Sequence, residues 1–191
     1  MLDIFLSYIS RSSFITLFVL IWLSIYFITT FSILISKMIS LNLWISSEIK
    51  ALDSLLLGGK ISNLTTVVKK YATGETTKEK LSVCKAMAEK NSTSGLTWLS
   101  IIASTSPFIG LFGTVVGILE TFTKIGTSNA SLSVIAPAIS EALVATGAGI
   151  FVAIPAYTFH LLLKRKSYEL MNIISRIIDV VLLNSQERAS K

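Results

Sequence analysis

Three stretches of the chain run for the length of a membrane crossing without a charged side chain. A helix needs about 20 apolar residues to span the hydrocarbon core. Ser12–Ser36 is 25 residues long and uncharged, Asn91–Leu119 is uncharged and strongly apolar from Leu96, and Ala142–Leu163 is uncharged with His160 neutral. The pattern predicts an all-α membrane protein with three transmembrane helices, near 14–36, 96–119 and 134–163. Between the first two, Leu64, Val67, Val68 and Tyr71 recur at helical spacing, with breaks marked by Gly58-Gly59 and Gly74; residues 37–95 therefore read as short amphipathic helices. Thr76 and Glu79 form a capping-box pattern for a helix running past Lys80, Cys84 and Ala88 toward helix 2. After helix 3, Leu170, Ile173, Ile174, Ile177, Ile178 and Val181 make one apolar stripe, and no Gly or Pro follows Ala156. Helix 3 is expected to continue to about Leu183, a rod on the order of 75 Å long. Helices 2 and 3 thus extend into a cytoplasmic helical bundle, whose packing accounts for the stripe.

Composition agrees with a bilayer setting: 52% of the 191 residues are hydrophobic and 15% charged. The first apolar run is too long for a signal peptide and has neither a basic leader nor a small-residue cleavage site, so it is expected to remain as an anchor. Charge sets the orientation. Residues 37–95 hold nine Lys against five acids and residues 164–191 hold six basic against three acidic, whereas Asp3 and Arg11 cancel, and Glu120, Lys124 and Glu141 leave the other side slightly negative. This predicts an N-out helix 1 (1–36), a cytoplasmic segment (37–95), a pore-forming pair (96–163) and a cytoplasmic C-terminal helix (164–191). The net charge of +6 flanks membrane helices and needs no nucleic-acid partner. Cys84 is alone and suits neither a disulfide nor a metal cluster. No phosphate loop, zinc pattern or Ser/His/Asp set is present, so neither an enzyme activity nor a metal or other cofactor is expected.

The membrane helices differ in kind. Helix 1 has no Gly or Ala between Ser12 and Ser36 and carries Trp22 and Tyr26, the profile of a lipid-facing helix. Helices 2 and 3 carry small residues that let backbones approach closely: Ala103, Ser106, Gly110, Gly113 and Gly117 on one, Ala142, Thr146, Gly149, Ala153 and Ala156 on the other. They are expected to face protein or a pore; if they line a subunit interface, a large residue at Gly113 or Gly149 would block oligomer assembly. Pro107, Pro137 and Pro155 lie within or at the edge of these helices, where freed carbonyls need other partners. Glu141 is the one acid placed at membrane depth, costly unless it meets water or a partner, and at a helix N-terminus the dipole would favour it instead. Thr114 and Thr146 suit a polar path, or a hydrogen bond back onto their own helices. His160, beside Lys164-Arg165-Lys166, reads as an interfacial residue.

The stretch TSPFIGLFGTVVGI (Thr105–Ile118), followed by IAPAISEALVATGAGIFVAIPA (Ile135–Ala156), strongly resembles the MotA/TolQ/ExbB proton-channel family. The resemblance covers about 60 residues with motif order and spacing kept, and the length and helix number are similar to the ExbB/TolQ type. One departure is Gly147, where the common pattern after EALVAT runs Ala-Ile-Gly. The resemblance implies an inner-membrane homopentamer around a pore lined by helices 2 and 3, enclosing a single-span ExbD- or TolR-like partner and working with a TonB- or TolA-like transducer. Carried over by position, Glu141 is the family glutamate and Thr114 and Thr146 the pore threonines, with Gly110, Gly113, Gly117, Gly149, Pro107 and Pro155 as packing residues of the pore core. The implied role is use of the proton-motive force for TonB-dependent outer-membrane transport or the Tol-Pal system. The alternative is a scaffold subunit that conducts nothing.

Overall fold

The computed structural model describes residues 14–57, 78–127 and 132–189. They form four helices: α1 (Phe14–Leu56), α2 (Lys78–Thr93), α3 (Leu96–Thr127) and α4 (Leu132–Ala189). Among the described residues there is no strand. Three helical stretches are long and apolar enough to cross a membrane. The expected span 14–36 is the first half of a 43-residue helix, so the segment after Ser36 does not begin as short helices. No Gly or Pro interrupts the chain there, and burial continues at three- and four-residue spacing through Leu41, Ile45, Glu48, Ala51 and Leu55. The helix expected past Lys80, Cys84 and Ala88 is α2, and helix 2 begins at Leu96 as expected but does not itself extend back before it. A turn at Ser94-Gly95 separates α2 from α3, so what precedes Leu96 is a helix of its own. Gly95 has φ 88°, a left-handed conformation that a side chain would disfavour. The stripe at Leu64–Tyr71, the glycines at 58, 59 and 74, and the capping residue Thr76 lie outside the described residues.

The helices contribute to two compact units. The first comprises residues up to Ile33 with Trp98–His160. Its core is Val19 and Leu23 of α1, Ile102 of α3, and Ala145, Val152 and Ala156 of α4. Helix α1 buries one face here and exposes Phe18, Ile21, Ile25 and Ile28 on the other. Two ring pairs join α1 to α4: Phe27 stacks on Phe151 at 5.6 Å, and Phe31 meets Phe159 edge-on at 5.3 Å. Such pairs contribute about 0.5–1.5 kcal/mol each beyond the area they bury. Three hydroxyls on α1 are satisfied within the helix, as suits a bilayer: Ser24, Thr29 and Thr30 donate to carbonyls four residues back at 2.8, 2.8 and 2.9 Å.

The second unit comprises Leu34–Thr97 with the chain from Leu161 onward. Leu41, Ile45, Ala51 and Leu55 of α1, Leu81, Cys84 and Ala88 of α2, and Leu163, Leu170, Ile174, Ile177 and Val181 of α4 are all buried. The C-terminal stripe accordingly faces inward, with Ile173 half-buried. Glu48 is buried among these apolar residues and accepts from the Trp44 indole N–H at 3.1 Å. Cys84 is buried as well. Burial, and then the Glu48 carboxylate, push its thiol pKa above the ordinary value.

Candidate functional site

The glycines predicted to matter lie where α3 and α4 come closest in the first unit. A methyl group on Gly110 would fall 2.6 Å from the Ala145 carbonyl oxygen and 3.1 Å from the Cα atoms of Gly149 and Thr146. One on Gly149 would fall 2.5 Å from the Ser106 carbonyl oxygen and 3.1 Å from Gly110 Cα. Backbone therefore rests on backbone, which only residues without a side chain allow. A methyl group on Gly113 would meet Ala145 Cβ at 3.0 Å and a Val19 methyl of α1 at 3.2 Å, and one on Gly117 would meet Ala142 Cβ at 3.2 Å. This seam closes within one chain, between α3 and α4, with Val19 of α1 beside it. Gly147, the residue that departs from the motif, has open space where a Cβ would stand.

The close approach brings two hydroxyls together. Thr114 Oγ1 and Thr146 Oγ1 are in hydrogen-bond contact across the seam. Thr114 also reaches the Ala142 carbonyl oxygen on α4 at 2.9 Å and the Gly110 carbonyl oxygen of its own helix at 3.3 Å, and Thr146 reaches that same Gly110 oxygen at 3.3 Å. Each hydroxyl has one proton to give. Three arrangements keep the hydroxyl pair bonded: Thr146 donates to Thr114, which donates to Ala142 O; Thr146 donates to Thr114, which donates to Gly110 O; or Thr114 donates to Thr146, which donates to Gly110 O. The shorter contact favours the first. Thr121, one turn beyond Gly117, behaves differently, donating to the Gly117 carbonyl at 2.8 Å within α3. Thr114 is thus distinguished from the ordinary back-bonding threonine by its contact across to α4.

Glu141 is half-buried. It precedes Ala142, whose carbonyl meets Thr114, and stands one helical turn before Ala145, which is wholly buried. Pro107 and Pro155 are half-buried and Pro137 is exposed, and all three lie inside continuous helices. Ser106, just before Pro107, is buried and donates to the Ile102 carbonyl at 2.5 Å. The structure therefore gathers Thr114, Thr146 and four of the glycines into one seam with Ala142 and Ala145. Pro107 lies on α3 between Ser106 and Gly110, whereas Pro155 and half-exposed His160 lie farther along α4. Sequence reasoning missed Ala145, whose carbonyl and methyl are the surface that Gly110 and Gly113 accommodate. Its place three and four residues from Ala142, Ala148 and Gly149 was the available signal. Among the described residues no three His, Cys, Asp or Glu side chains group as they would around a metal ion.

Comparison with known proteins carries these observations to a family. A sequence profile of the MotA/TolQ/ExbB proton channel family matches residues 50–176. The ExbB-like protein 1 of Helicobacter pylori strain 26695 is 44% identical over 185 residues, covering 95% of this chain and 98% of its own. The biopolymer transport protein ExbB of Neisseria gonorrhoeae is 44% identical over 97 residues, 49% of this chain and 44% of its own. The Tol-Pal system protein TolQ of Pseudomonas aeruginosa is 48% identical over 69 residues, 36% of this chain and 30% of its own. With three membrane-length helices and relatives of this kind, the chain is a multi-pass protein of the bacterial inner membrane, and its family is one of transport channels. It belongs to the MotA/TolQ/ExbB proton channel family as a subunit of the ExbB/TolQ type.

Proposed function

We propose that this chain forms a homopentameric proton channel in the inner membrane and couples proton passage to mechanical work on the cell envelope. The carrying observation is the hydroxyl pair Thr114–Thr146, placed between two carbonyls of facing helices, with Glu141 a little more than one turn away on α4. Neither α1 nor α3 has an acid between Ser12 and Ser36 or Asn91 and Leu119. One carboxylate near the outer side cannot relay protons across the whole membrane, so a partner must add a titrating group. A single-span helix of the ExbD or TolR kind, held inside the pentamer, supplies it in this reading. Glu141 collects protons at the mouth of the path, and the threonine hydroxyls reorient to pass hydrogen bonds along it. The electrical part of the drive is about 2.3 kcal/mol per elementary charge per 100 mV.

In this reading the N-terminus is periplasmic, and the second unit and C-terminus are cytoplasmic, following the excess of Lys and Arg on those segments. The energised process is TonB-dependent outer-membrane transport or the Tol-Pal system, according to whether a TonB-like or TolA-like transducer docks. Proteoliposomes containing the chain with its single-span partner test the proposal. An imposed proton gradient should collapse faster in them than in vesicles holding either protein alone, and native mass measurement should give five copies of this chain. Equal decay in all vesicles would favour the scaffold reading and end the proposal.

A further inference from the structure

In the second unit, three helices are hydrogen-bonded together at one level, beside the turn that ends α2. The last carbonyls of a helix have no amide of their own helix to accept from. Lys37 of α1 extends its ammonium to this end of α2, donating to the Asn91 carbonyl at 3.3 Å and to Ser94 Oγ at 2.5 Å. Ser94 Oγ donates in turn to the Asn91 carbonyl at 2.9 Å. From α4, Ser167 Oγ donates to Ser92 Oγ at 2.7 Å, and Ser92 Oγ donates to the Glu89 carbonyl at 3.0 Å. Ser92 and Ser167 are both buried. This turn contains Gly95, the one residue with positive φ among those described, and α3 begins at Leu96.

A left-handed glycine is enough to terminate a helix, and a cation at the C-terminus favours it further through the helix dipole. Neither purpose calls for a buried hydroxyl pair to α4 or for a lysine reaching in from α1. These bonds tie the break to both of its neighbours. We propose that Lys37 and Ser167 form a latch on the α2–α3 turn, with Gly95 as the hinge that it holds closed. The latch is polar and of few bonds, so it opens without disrupting the apolar contacts of Leu81, Cys84 and Ala88 on α2. Hinges are commonly a few residues at the ends of elements that absorb the backbone change.

Hydrogen exchange on the full-length protein in detergent micelles tests this, comparing wild type with Lys37→Met, Ser167→Ala and the double variant. Lys37→Met keeps the apolar stem and removes the donors; Ser167→Ala removes one hydroxyl. Exchange at the amides of residues 92–97 should rise at least tenfold in the double variant and less in each single one, while residues 170–181 keep wild-type protection. Unchanged exchange at 92–97 in the double variant would overturn the latch. So would a rise spread equally over 170–181, since the bonds would then serve general stability. Lys37→Arg keeps the cation and should stay within about twofold of wild type at 92–97; protection lost as fully as in Lys37→Met would also contradict the proposal.

Discussion

Gly149 and Gly147 stand two residues apart on the same helix, and the seam predicts opposite outcomes for the same substitution. In Gly149→Ala the new methyl would meet the Ser106 carbonyl oxygen at 2.5 Å and Gly110 Cα at 3.1 Å. Both are backbone atoms, so no side chain can rotate away. The first contact is roughly 0.9 Å short of ordinary van der Waals distance, which starts at 3.4 Å, and α3 must move off α4 by an amount of that order. Overpacking of this kind costs about 1–3 kcal/mol, and the displacement also stretches the Thr114–Ala142 hydrogen bond from 2.9 Å. In Gly147→Ala the methyl has nothing within 4 Å, and removing a mid-helix glycine gains about 0.5–1 kcal/mol. Reversible unfolding in mixed micelles, followed by helical circular dichroism, should place Gly149→Ala below wild type and Gly147→Ala level with it or above. A Gly149→Ala protein as stable as wild type, or two variants destabilised alike, would refute the seam as described.

The threonines should also separate. Thr114→Val removes the 2.9 Å bond to Ala142 as well as the Thr146 contact and should cost about 1 kcal/mol in the same unfolding assay, whereas Thr146→Val leaves the Ala142 bond and should cost less; the reverse order would contradict the first arrangement of the hydroxyls. Cys84, buried and with a raised thiol pKa, should react with a maleimide far more slowly than Val83→Cys in a Cys84→Ala background, because Val83 is 56% exposed. The sign of its pH effect follows from linkage. Its contribution is fully present below the unfolded thiol pKa near 9.0, and stability should fall as pH rises above that value, because the unfolded chain ionises first; pH-dependent unfolding of Cys84→Ala should lack that component. For topology, an impermeant thiol reagent added to intact spheroplasts should label Ser128→Cys and spare Ser62→Cys, both in a Cys84→Ala background, and the opposite labelling would invert the proposed orientation.

Much of the membrane part was legible because a bilayer allows so few solutions. Long uncharged runs gave three of the helices, and the absence of Gly and Pro after Ala156 gave the continuation of α4. The small residues at Gly110, Gly113 and Gly149 announced close backbone approach, but small-residue spacing carries no information on whether the facing helix belongs to the same chain. The structure shows that the facing helix at these glycines is α4 of the same chain. The extension of α1 to Leu56 was hidden for another reason. Lys37, Glu48, Lys50 and Asp53 make the segment look like a change of element, although helical periodicity runs through them and Glu48 lies on the buried face beside Trp44. The contacts of Lys37 with Asn91 and Ser94, and of Ser167 with Ser92, were illegible, because each joins residues more than 50 positions apart.

Proton flux through Glu141 variants tests the central claim most directly. In partner-containing proteoliposomes under an imposed gradient, Glu141→Ala should reduce flux to that of vesicles without the partner, and Glu141→Asp, which keeps the charge on a shorter arm, should retain part of it. Both should still assemble with the wild-type mass. Wild-type flux from an assembled Glu141→Ala complex would contradict the account and leave the partner's titrating group to carry the current alone.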